Sequence, residues 1–442
     1  MKYKPLNNKF YSCSRRNFIR KIASTGFFSF FGGKLLTGNT KGVPADVYSP
    51  RVRIPNPYVN SEGKPLLIAV TGSDFQKMLE KGLEAIGGLN KLVNNNQDIL
   101  IKPNFNGVDI YPAISSAESI AILAKEAVKA TTGKVKVGDQ GYHQPNDVYE
   151  HVNIESALSG TGADLIYFSE SYNIRRSSWS DSRPDYHVYT DVYEAPVIIN
   201  FACVKRHHLA KMSTALKNNV GAVTGSGATG SRNYLHNKSA YSFLTEVAEI
   251  AGLINPELTI VDARSVLAKN GPFSDSSGAE IINDVNYLII SGDMIAVDLY
   301  CSMLLQSYDS TFATYQIDPT LSHANSLGLG VKDLSEVEII DTATGIDDNN
   351  NAVPFQFELY QNRPNPFSSF TEIGFKIRNN SLVTLGIFDP LGRIVEILLN
   401  NRQMVPGEYY FRFDGNKLSN GTYFYKLKAG RQVITKSMVL AK

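Results

Sequence analysis

Apolar runs alternate with amphipathic stretches along the chain between about Lys64 and Asp341. The runs predict strands at residues 65–70, 98–102, 134–138, 164–168, 196–200, 258–261 and 286–290. Between two of them, residues 120–127 carry apolar side chains at helical spacing after Ser115-Ser-Ala-Glu118, a capping-box sequence. Continuous apolar strands separated by helices are typical of a parallel sheet that is covered on both sides. We therefore predict an α/β domain with a mostly parallel sheet and helices on both faces.

The pattern changes beyond a polar linker at residues 342–356, where short alternating strands replace the longer apolar runs. Strands are predicted at residues 372–377, 383–388, 393–398, 408–413 and 422–427. Turn sequences such as Asp389-Pro-Leu-Gly392 and Ser419-Asn-Gly421 separate them. Short strands joined by glycine and proline turns predict a small β-sandwich over residues 357–442.

A basic segment, Ser14–Lys21, precedes a modestly apolar stretch at residues 22–31. A charged start followed by a short apolar region predicts an export signal, and Lys34 makes the stretch too short to span a membrane. The adjacent Arg15 and Arg16 resemble the twin-arginine signal, which implies export of a folded chain by the twin-arginine translocase. The alternatives are an ordinary secretory signal or a terminal anchor. The predicted units are thus a signal peptide at 1–45, the α/β domain at 46–341, the linker at 342–356 and the sandwich at 357–442.

Charge and cysteine content narrow the function classes. The chain of 442 residues has 44 lysines and arginines against 42 acidic residues, a net charge of +2. This balance, without a long basic block, gives no indication of nucleic-acid binding. Cys13 lies in the leader, and the apolar surroundings of Cys203 and Cys301 predict buried thiols. Because no C-x-x-C motif occurs, no iron–sulfur cluster or thiolate zinc site is expected within this chain.

Polar and titratable residues follow the ends of several predicted strands. In open α/β sheets, ligands bind beyond the carboxyl ends of the strands. The residues concerned are Lys102, Asn104, Asp139, Lys205, Arg206, His207, His208, Asp262, Asp293 and Asp298. Because several strand ends share this pattern, we predict that they contribute to one common site.

The same residues lie in short sequence blocks that follow one another along the α/β unit. The blocks are Ile101-Lys-Pro-Asn104, Val137-Gly-Asp139, Val197-Ile-Ile-Asn200, Lys205 with His207, Ser213-Thr-Ala-Leu-Lys-Asn-Asn-Val-Gly221, His236, Val261-Asp-Ala263, Asn270-Gly-Pro272 and Ser291-Gly-Asp-Met-Ile-Ala-Val-Asp298. In this order they resemble the family called domain of unknown function 362. Arg206 stands where the family usually has a small residue. Many relatives carry or neighbour ferredoxin-type cysteine clusters, and this chain has none.

Blocks in the C-terminal unit carry a second resemblance. They are Leu359-Tyr-Gln-Asn-Arg-Pro-Asn-Pro-Phe367, Ile387-Phe-Asp-Pro-Leu-Gly-Arg393, Gly407-Glu-Tyr409, Ser419-Asn-Gly-Thr-Tyr-Phe-Tyr425 and Lys436-Ser-Met-Val-Leu-Ala-Lys442. Together they resemble the type IX secretion C-terminal sorting domain. The resemblance implies recognition by the type IX secretion machinery at the outer membrane, followed by release or attachment at the cell surface. The strand pattern alone leaves an accessory immunoglobulin-like domain as the alternative.

The residue types at the predicted site favour chemistry on a small anion. Lysines provide point charges for a carboxylate or phosphate, and asparagines orient it by hydrogen bonds. Neutral imidazole serves as a general base or metal ligand, and carboxylates bind a hard cation or relay protons. We predict catalytic roles for His207, Lys205, Lys217 and Asp139, substrate binding by Lys102, Asn104, Asn218 and His236, and a divalent-metal site at Asp262 and Asp298.

Several of these features have simpler interpretations. Asp293 is a natural helix N-cap, Asp298 is suited to buttressing a helix, and His208 to lying at the surface. Thr224-Gly-Ser-Gly-Ala-Thr-Gly230 lacks the order of a phosphate-binding loop, so a flexible lid is predicted. The aromatic-rich segment 167–193 is either a hairpin that covers a substrate or a loop that packs its own aromatics.

The sequence therefore predicts an exported enzyme that acts on a small anionic substrate, with its reaction unspecified and a divalent metal or redox cofactor left open. The alternative is a non-catalytic surface protein that uses the same cleft to capture a ligand. The combination of lysines, histidines and carboxylates at one site favours catalysis over capture.

Overall fold

The computed structural model describes residues 47–141, 145–225, 231–344, 357–377, 381–405, 407–429 and 432–442. The predicted signal peptide, most of the predicted linker and most of the glycine-rich segment lie outside these ranges. Within the described ranges, no helix has both the length and the apolar character needed to cross a membrane.

The central unit contains the strands β1 (Val47–Tyr48), β2 (Leu66–Thr71), β3 (Ile99–Lys102), β4 (Val135–Val137), β5 (Ala163–Leu165), β6 (Ser171–Ile174), β7 (Tyr186–Tyr189), β8 (Val197–His207), β9 (Lys211–Ser213), β10 (Leu258–Ala268), β11 (Glu280–Ile282), β12 (Tyr287–Ser291) and β13 (Glu338–Ala343). Its helices are α1 (Phe75–Ile86), α2 (Ala117–Ala130), α3 (Pro145–His151), α4 (Ile154–Leu158), α5 (Thr190–Tyr193), α6 (Ala215–Asn218), α7 (Ser231–His236), α8 (Ala240–Ile254), α9 (Met294–Tyr308) and α10 (Asp318–Ser326). The C-terminal unit contains β14 (Phe357–Leu359), β15 (Phe370–Ile377), β16 (Ser381–Phe388), β17 (Ile394–Met404), β18 (Gly407–Asp414), β19 (Gly421–Ala429) and β20 (Gln432–Leu440).

The central sheet has ten strands, and its main row has the order β13-β2-β12-β10-β8-β3-β4-β5. Strand β12 runs antiparallel to both of its neighbours, and the other neighbouring pairs in this row are parallel. Strands β9 and β11 are antiparallel additions to β8 and β10. The mostly parallel sheet predicted from the apolar runs is therefore confirmed.

Alternate residues of the sheet strands enter two separate cores, one on each face. Leu67, Leu100 and Ile198 belong to one core, whereas Ile68 and Ile99 belong to the other. Helices α8 and α9 cover the first face, and α1 and α2 cover the second. Since adjacent residues of a strand point to opposite sides, a sheet covered on both faces requires unbroken apolar runs, as observed.

Two strands are longer than predicted, and two predicted site residues therefore lie on a strand. Strand β8 does not end at Asn200 but runs to His207, and β10 runs to Ala268. The extension is held by pairing of Lys205 with Leu267 beyond an irregular stretch of the ladder, and by β9. Lys205 and His207 therefore lie on a strand and not in a loop that follows it.

Helix α2 begins one residue later than the capping box predicted. Its N-cap is Ser116, whose hydroxyl accepts a hydrogen bond from Ser119 N. The hydroxyl of Ser115 instead accepts from Asn104 N at 2.9 Å. Ser116 thus caps the helix, while Ser115 holds the loop after β3. This loop contains Asn104, a predicted site residue.

The C-terminal unit is the predicted β-sandwich. One sheet has the order β14-β15-β18 and the other β17-β16-β19-β20, and neighbouring strands in both are antiparallel. Phe375, Leu385 and Tyr425 are fully buried in its core. On the other side of the linker, the central unit continues through β13 to Ala343, past the predicted boundary at residue 341.

The two units are in direct contact. The rings of Tyr315 and Phe424 lie 4.6 Å apart between centroids, and Gln306 Nε2 donates to Val433 O at 2.5 Å. Apolar side chains of α9 and β20 belong to one continuous core. The sandwich is therefore packed onto the α/β unit.

A buried ion pair fastens the segment before β2 to the central sheet. Arg51 Nη2 lies 2.9 Å from Glu257 Oε2, and the exposed fractions of the two side chains are 5% and 0%. The same carboxylate oxygen accepts from Ile198 N of β8 at 2.8 Å, and Arg51 also donates to Ala195 O. Glu257 thus joins the N-terminal segment to the middle of the sheet.

We expect Glu257→Ala to lower the free energy of unfolding by about 3 kcal/mol, because it leaves the Arg51 guanidinium buried without its counter-charge. Urea denaturation followed by the fluorescence of Trp179, the single tryptophan, measures this change. Glu62→Ala is the matched control, since the ion pair of Glu62 with Lys64 is exposed and its loss should cost less than about 0.5 kcal/mol. Equal effects of the two substitutions would contradict the role assigned to Glu257.

Candidate functional site

A cavity of about 540 Å³ opens at the carboxyl ends of β3, β4 and β8. It is lined by Asn104, Asn106, Asp139, Gln140, Gly141, Tyr189, Lys205, His207, His208, Ser213, Lys217, Asn218, Val220, Gly221, Gly225, Arg232, Asn233, His236, Pro272 and Phe273. Most of the side chains predicted for the site meet here, although they are far apart in the sequence. The position is the sheet edge at which ligands of open α/β folds bind.

The late residues of β8 place two of these side chains. Because side chains alternate along a strand, Lys205 and His207 lie on one side of β8, and both line the cavity. Arg206 lies on the other side, where its Nε is 3.1 Å from Asp309 Oδ2. The arginine that departs from the family pattern is therefore held by an ion pair outside the cavity lining.

A buried ion pair lies under the floor of the cavity. Lys102 Nζ is 2.7 Å from Asp139 Oδ1 and donates to Asn218 O, also at 2.7 Å. The other carboxylate oxygen of Asp139 accepts from Phe105 N at 2.8 Å. Lys102 is fully buried and absent from the cavity lining, so the structure does not support its predicted role in substrate binding. Asp139 does line the cavity, but its oxygens are engaged by the protein.

Three asparagine side chains connect Lys205 to α6 by hydrogen bonds that run in one direction. Lys205 Nζ donates to Asn104 Oδ1 at 2.8 Å, and Asn104 Nδ2 donates to Asn218 Oδ1 at 2.7 Å. Asn218 Nδ2 donates to Asn200 Oδ1 at 2.7 Å, and Asn200 Nδ2 donates to Ala215 O at 2.9 Å. A peptide carbonyl can only accept, so the bond to Ala215 O fixes which end of the Asn200 amide is the donor. Each preceding amide in the series of hydrogen bonds is then oriented in turn. An acceptor therefore faces Lys205.

The amide groups of Asn104 and Asn218 are used by these protein–protein hydrogen bonds. Both residues line the cavity, as predicted for substrate ligands. Their geometry instead makes them positioning residues for Lys205, since each amide donates to and accepts from a protein group.

The two lysines predicted to be catalytic have depressed pKa values. Burial lowers the pKa of Lys205 to about 8. Burial, followed by the nearby charges of Lys205, Arg232 and Lys102, lowers the pKa of Lys217 to about 7. Lys205 Nζ has two acceptors, one of them Ala113 O, whereas Lys217 Nζ has no hydrogen-bond or ion-pair partner within the described ranges. Near neutral pH, a large share of Lys217 is therefore a free amine.

Arg232 is a cavity residue that the sequence analysis missed. Its Nε donates to Val220 O at 3.2 Å and to Val223 O at 3.1 Å, and its Nη1 donates to Gly141 O. These bonds join two segments of the cavity wall and leave the positive charge beside it. Arg232 precedes His236 by one helical turn on α7, and this spacing is the signal that could have revealed it.

His207 has a defined neutral tautomer. Its Nδ1 accepts from Leu209 N and Ala210 N, both at 3.2 Å, so the ring proton lies on Nε2. Burial, followed by the charge of Lys217, holds the pKa of His207 well below its usual value. His207 is therefore suited to donate a hydrogen bond, whereas the sequence suggested a general base.

His236 shows the opposite tautomer. Its Nδ1 donates to Arg232 O at 2.7 Å, which leaves Nε2 as an acceptor. It is thus the better placed histidine to accept a proton, although substrate binding was predicted for it. His208, expected at the surface, is exposed but also lines the cavity and stacks on His207 at 5.0 Å between ring centroids.

The two carboxylates predicted to bind a metal are absent from the cavity lining. Asp262 accepts from Tyr111 Oη at 2.8 Å and from the guanidinium of Arg264. Asp298 accepts from Ala215 N at 2.6 Å and so buttresses α6. Across the residues that the structure describes, no group of three or more His, Cys, Asp or Glu is placed to hold a metal ion. The structure therefore does not support a metal site at these carboxylates.

The simpler interpretations of three other residues hold. Asp293 caps α9 and accepts from Ile295 N and Ala296 N, both at 2.9 Å. Cys203 and Cys301 are buried free thiols, as their apolar surroundings predicted.

The aromatic-rich segment 167–193 mostly packs on itself and on α8. The rings of Trp179 and Tyr186 lie 5.9 Å apart, and the guanidinium of Arg183 is 3.7 Å from the Trp179 ring. Tyr186 Oη donates to Glu246 at 2.8 Å. From this segment Tyr189, at the end of β7, reaches the cavity lining.

The fold defines a two-unit protein, in which an α/β unit that contains the cavity is followed by a β-sandwich. Residues 99–303 match the family described as domain of unknown function (DUF362), and residues 363–441 match the family described as secretion system C-terminal sorting domain. The chain therefore carries both domains. The sorting domain directs it to the type IX secretion machinery, and thus to secretion or attachment at the cell surface.

Two solved structures show distant similarity. The lactate racemase apoprotein from Thermoanaerobacterium thermosaccharolyticum is 12% identical with a TM-score of 0.33, and the alignment covers 54% of this chain and 55% of that one. The endo-beta-1,4-mannanase from Thermotoga petrophila is 8% identical with a TM-score of 0.15, over 73% of this chain and 70% of that one. The chain thus spans about half the length of the racemase structure, and such scores carry no functional inference. No curated protein matches the chain.

The depressed pKa of Lys217 predicts a pH-dependent stability. The folded-state value of about 7 lies below the ordinary value of 10.5, so the unfolded chain binds the additional proton between these pH values. The free energy of unfolding should therefore rise with pH in this window. Lys217→Met removes this proton-linked cost. We therefore expect its stability relative to the wild type to be higher at pH 6 than at pH 9, by about 2 to 3 kcal/mol.

Urea denaturation at several pH values, in buffer without phosphate or carboxylate, measures the difference. Lys77→Met is the control, because Lys77 is exposed on α1 and its loss should give the same stability difference at every pH. A stability difference for Lys217→Met that does not change with pH would show that the lysine is charged in the folded state.

Gly221 provides a separate test of the floor of the cavity. A Cβ at this position would overlap Asp139 Oδ1 and lie 2.7 Å from Lys102 Nζ. We expect Gly221→Ala to force the ion pair apart and to lower the free energy of unfolding by about 1 to 3 kcal/mol, measured by urea denaturation. At Gly225 an added Cβ has no described atom within 4 Å apart from its chain neighbours, so Gly225→Ala should be tolerated. If Gly221→Ala were tolerated as well as Gly225→Ala, the backbone at Gly221 could not lie as close to the ion pair as described.

Proposed function

We propose that the central unit binds a small anionic organic molecule in this cavity and catalyses a reaction on it. The observation that carries the proposal is the unbalanced charge of the wall. Lys205, Arg232 and the protonated share of Lys217 provide positive charge, while the carboxylate among the described lining residues, Asp139, is already paired with Lys102. Buried cations without counter-charges are unfavourable, so an anion that enters the cavity is stabilised there.

The wall also offers donors for such an anion. Lys217 Nζ lacks a partner in the part of the chain that is described, and His207 carries a proton on Nε2. Arg232 contributes mainly its charge, because peptide carbonyls take most of its donors. Ammonium and imidazole donors suit carboxylates and phosphates, in which charge-assisted hydrogen bonds form. The ligand class we propose is therefore a small carboxylate or phosphate compound.

The protonation properties of the wall favour catalysis over capture. A proton-transfer group works best when its pKa is near the working pH. The pKa values of Lys205 and Lys217, about 8 and about 7, meet this condition, and His236 Nε2 adds a further acceptor. A protein that only captured anions would gain from lysines that stay fully charged. The alternative function, a non-catalytic binding protein, would show anion affinity without turnover.

We expect sodium malonate or sodium phosphate to raise the thermal unfolding midpoint by about 2 to 5 °C at saturation. The reference is sodium chloride at the same ionic strength, which removes the general effect of salt. The shift arises because the anion binds the folded state, and differential scanning fluorimetry measures it.

Lys217→Met should remove most of this shift, because it deletes the nitrogen donor that has no partner among the described residues. Lys77→Met is the matched control, since it deletes the same charge from the exposed face of α1. The absence of an anion-specific shift in the wild type, or an equal loss in both variants, would refute the anion site.

A further inference from the structure

Resting on the anion site proposed above, we infer that Lys217 Nζ forms an imine with the carbonyl carbon of a bound 2-oxo carboxylic acid. This inference adds a substrate class and a covalent step to the anion site. It depends on the position of Lys217, on the charges around it, and on the different environment of Lys205.

Lys217 is held firmly although its ammonium group has no described partner. It lies on α6, whose first two peptide N–H groups donate to Asp298 at 2.6 and 3.2 Å. The following residue, Asn218, is fixed by its amide bonds to Asn104 and Asn200. The backbone of Lys217 is thus held on both sides, while its side chain reaches the cavity.

The surroundings of Lys217 disfavour its ammonium form. Lys205, Arg232 and Lys102 are near enough to repel a positive charge there, in addition to the effect of burial. Asp139 opposes them, but it is committed to Lys102 at 2.7 Å. A lysine that is desolvated next to other cations is a nucleophile near neutral pH, because its amine lone pair is free.

Lys205 is the less suitable nucleophile. Its Nζ donates to Asn104 Oδ1 and to Ala113 O, and the asparagine chain fixes the first of these as an acceptor. Two acceptors stabilise its N–H groups and favour the charged form, whereas Lys217 has none within the described residues. Lys205 therefore acts as the cation that keeps its neighbour neutral.

The same arrangement selects the substrate. The charges that attract the anion are those that surround the Lys217 amine, so the anionic group and the carbonyl carbon must lie close together in the ligand. In a 2-oxo carboxylic acid the carboxylate is bonded directly to the carbonyl carbon. This compound class therefore brings its carboxylate to the cations when its carbonyl meets Lys217.

The covalent step is redox neutral. The neutral amine adds to the carbonyl carbon, a C–N bond forms, and the carbonyl oxygen takes up a proton as the nitrogen loses one. The C–O bond of this carbinolamine then breaks, water leaves with one further proton, and a C=N bond forms as the protonated imine. His207, with its proton on Nε2, and His236, with a free Nε2 lone pair, line the same cavity as proton donor and acceptor.

Reductive trapping tests the inference on the full chain. Pyruvate and sodium cyanoborohydride are added at pH 7, and the lysine peptides are mapped by mass spectrometry. We expect a reduced adduct, with the mass of pyruvic acid less one oxygen atom, on Lys217. Its yield should exceed that on any exposed lysine by at least about tenfold, because the neutral amine fraction is far larger. Acetone, which lacks the carboxylate, should label Lys217 much less, and malonate should suppress the labelling by pyruvate.

The pH dependence of labelling at Lys217 should itself depend on Lys205, which gives a second readout. Lys205→Met removes a cation beside Lys217, so the pH at which labelling reaches half its maximum should rise above that of the wild type. Lys77→Met should leave the midpoint unchanged. An unchanged midpoint in folded Lys205→Met would overturn the lysine-pair arrangement.

The outcomes separate this inference from the proposed function. Pyruvate labelling that is absent, spread over exposed lysines or directed to Lys205 overturns the imine, while a thermal shift with malonate keeps the anion site. Absence of both the adduct and the malonate shift refutes the two together. Suppression by malonate is measured in the wild type, so the test remains decisive if a lysine variant fails to fold.

Discussion

The ion pair between Lys102 and Asp139 is the interaction on which the candidate site depends. It is removed from water where the ends of β3 and β4 meet the turn after α6. A buried ammonium and carboxylate persist there because each has its partner and further hydrogen bonds. Asn218 O is one acceptor of Lys102, and Gly221 lets the backbone approach the pair. The segment that carries Lys217 is therefore positioned by an ion pair whose two charges are already matched within the protein.

The same pair creates the electrostatic character of the cavity. Because Asp139 is used beneath the floor, the described part of the wall keeps Lys205, Lys217 and Arg232 without a carboxylate of their own. Burial then lowers the pKa values of both lysines, and the nearby charges of Lys205, Arg232 and Lys102 lower that of Lys217 further. The pairing of Asp139 with Lys102 thus accounts both for the unbalanced positive charge of the wall and for the share of free amine at Lys217 near neutral pH.

The cavity and the sorting domain belong to different units. The described cavity lining ends at Phe273 and includes no residue of the sandwich. The sandwich packs instead on α9, through contacts such as that of Gln306 with Val433. Asp298 in the first turns of the same helix supports α6 under the site. Helix α9 therefore carries the sorting domain at one end and buttresses the site at the other.

Much of this architecture could be read from the sequence. Apolar runs are long where both faces of a strand are buried and alternate where one face is solvated, so the sheet and the sandwich were predictable. The edge of the sheet that holds the cavity followed from the polar residues at strand ends. The longer strand β8 was not predictable, because pairing with β9 and β10 extends it through the polar residues Lys205 and His207.

By itself, the sequence determined the fold class, the order of the units and the candidate side chains, because these depend on local periodicity and on short blocks. The tertiary structure alone decided their roles. Lys102 and Lys205 both lie near the ends of predicted strands, yet one is sealed under the floor and the other lines the cavity. The charge and hydrogen-bonding capacity of a buried group depend on neighbours within a few ångströms, and chain order does not specify which neighbours those are.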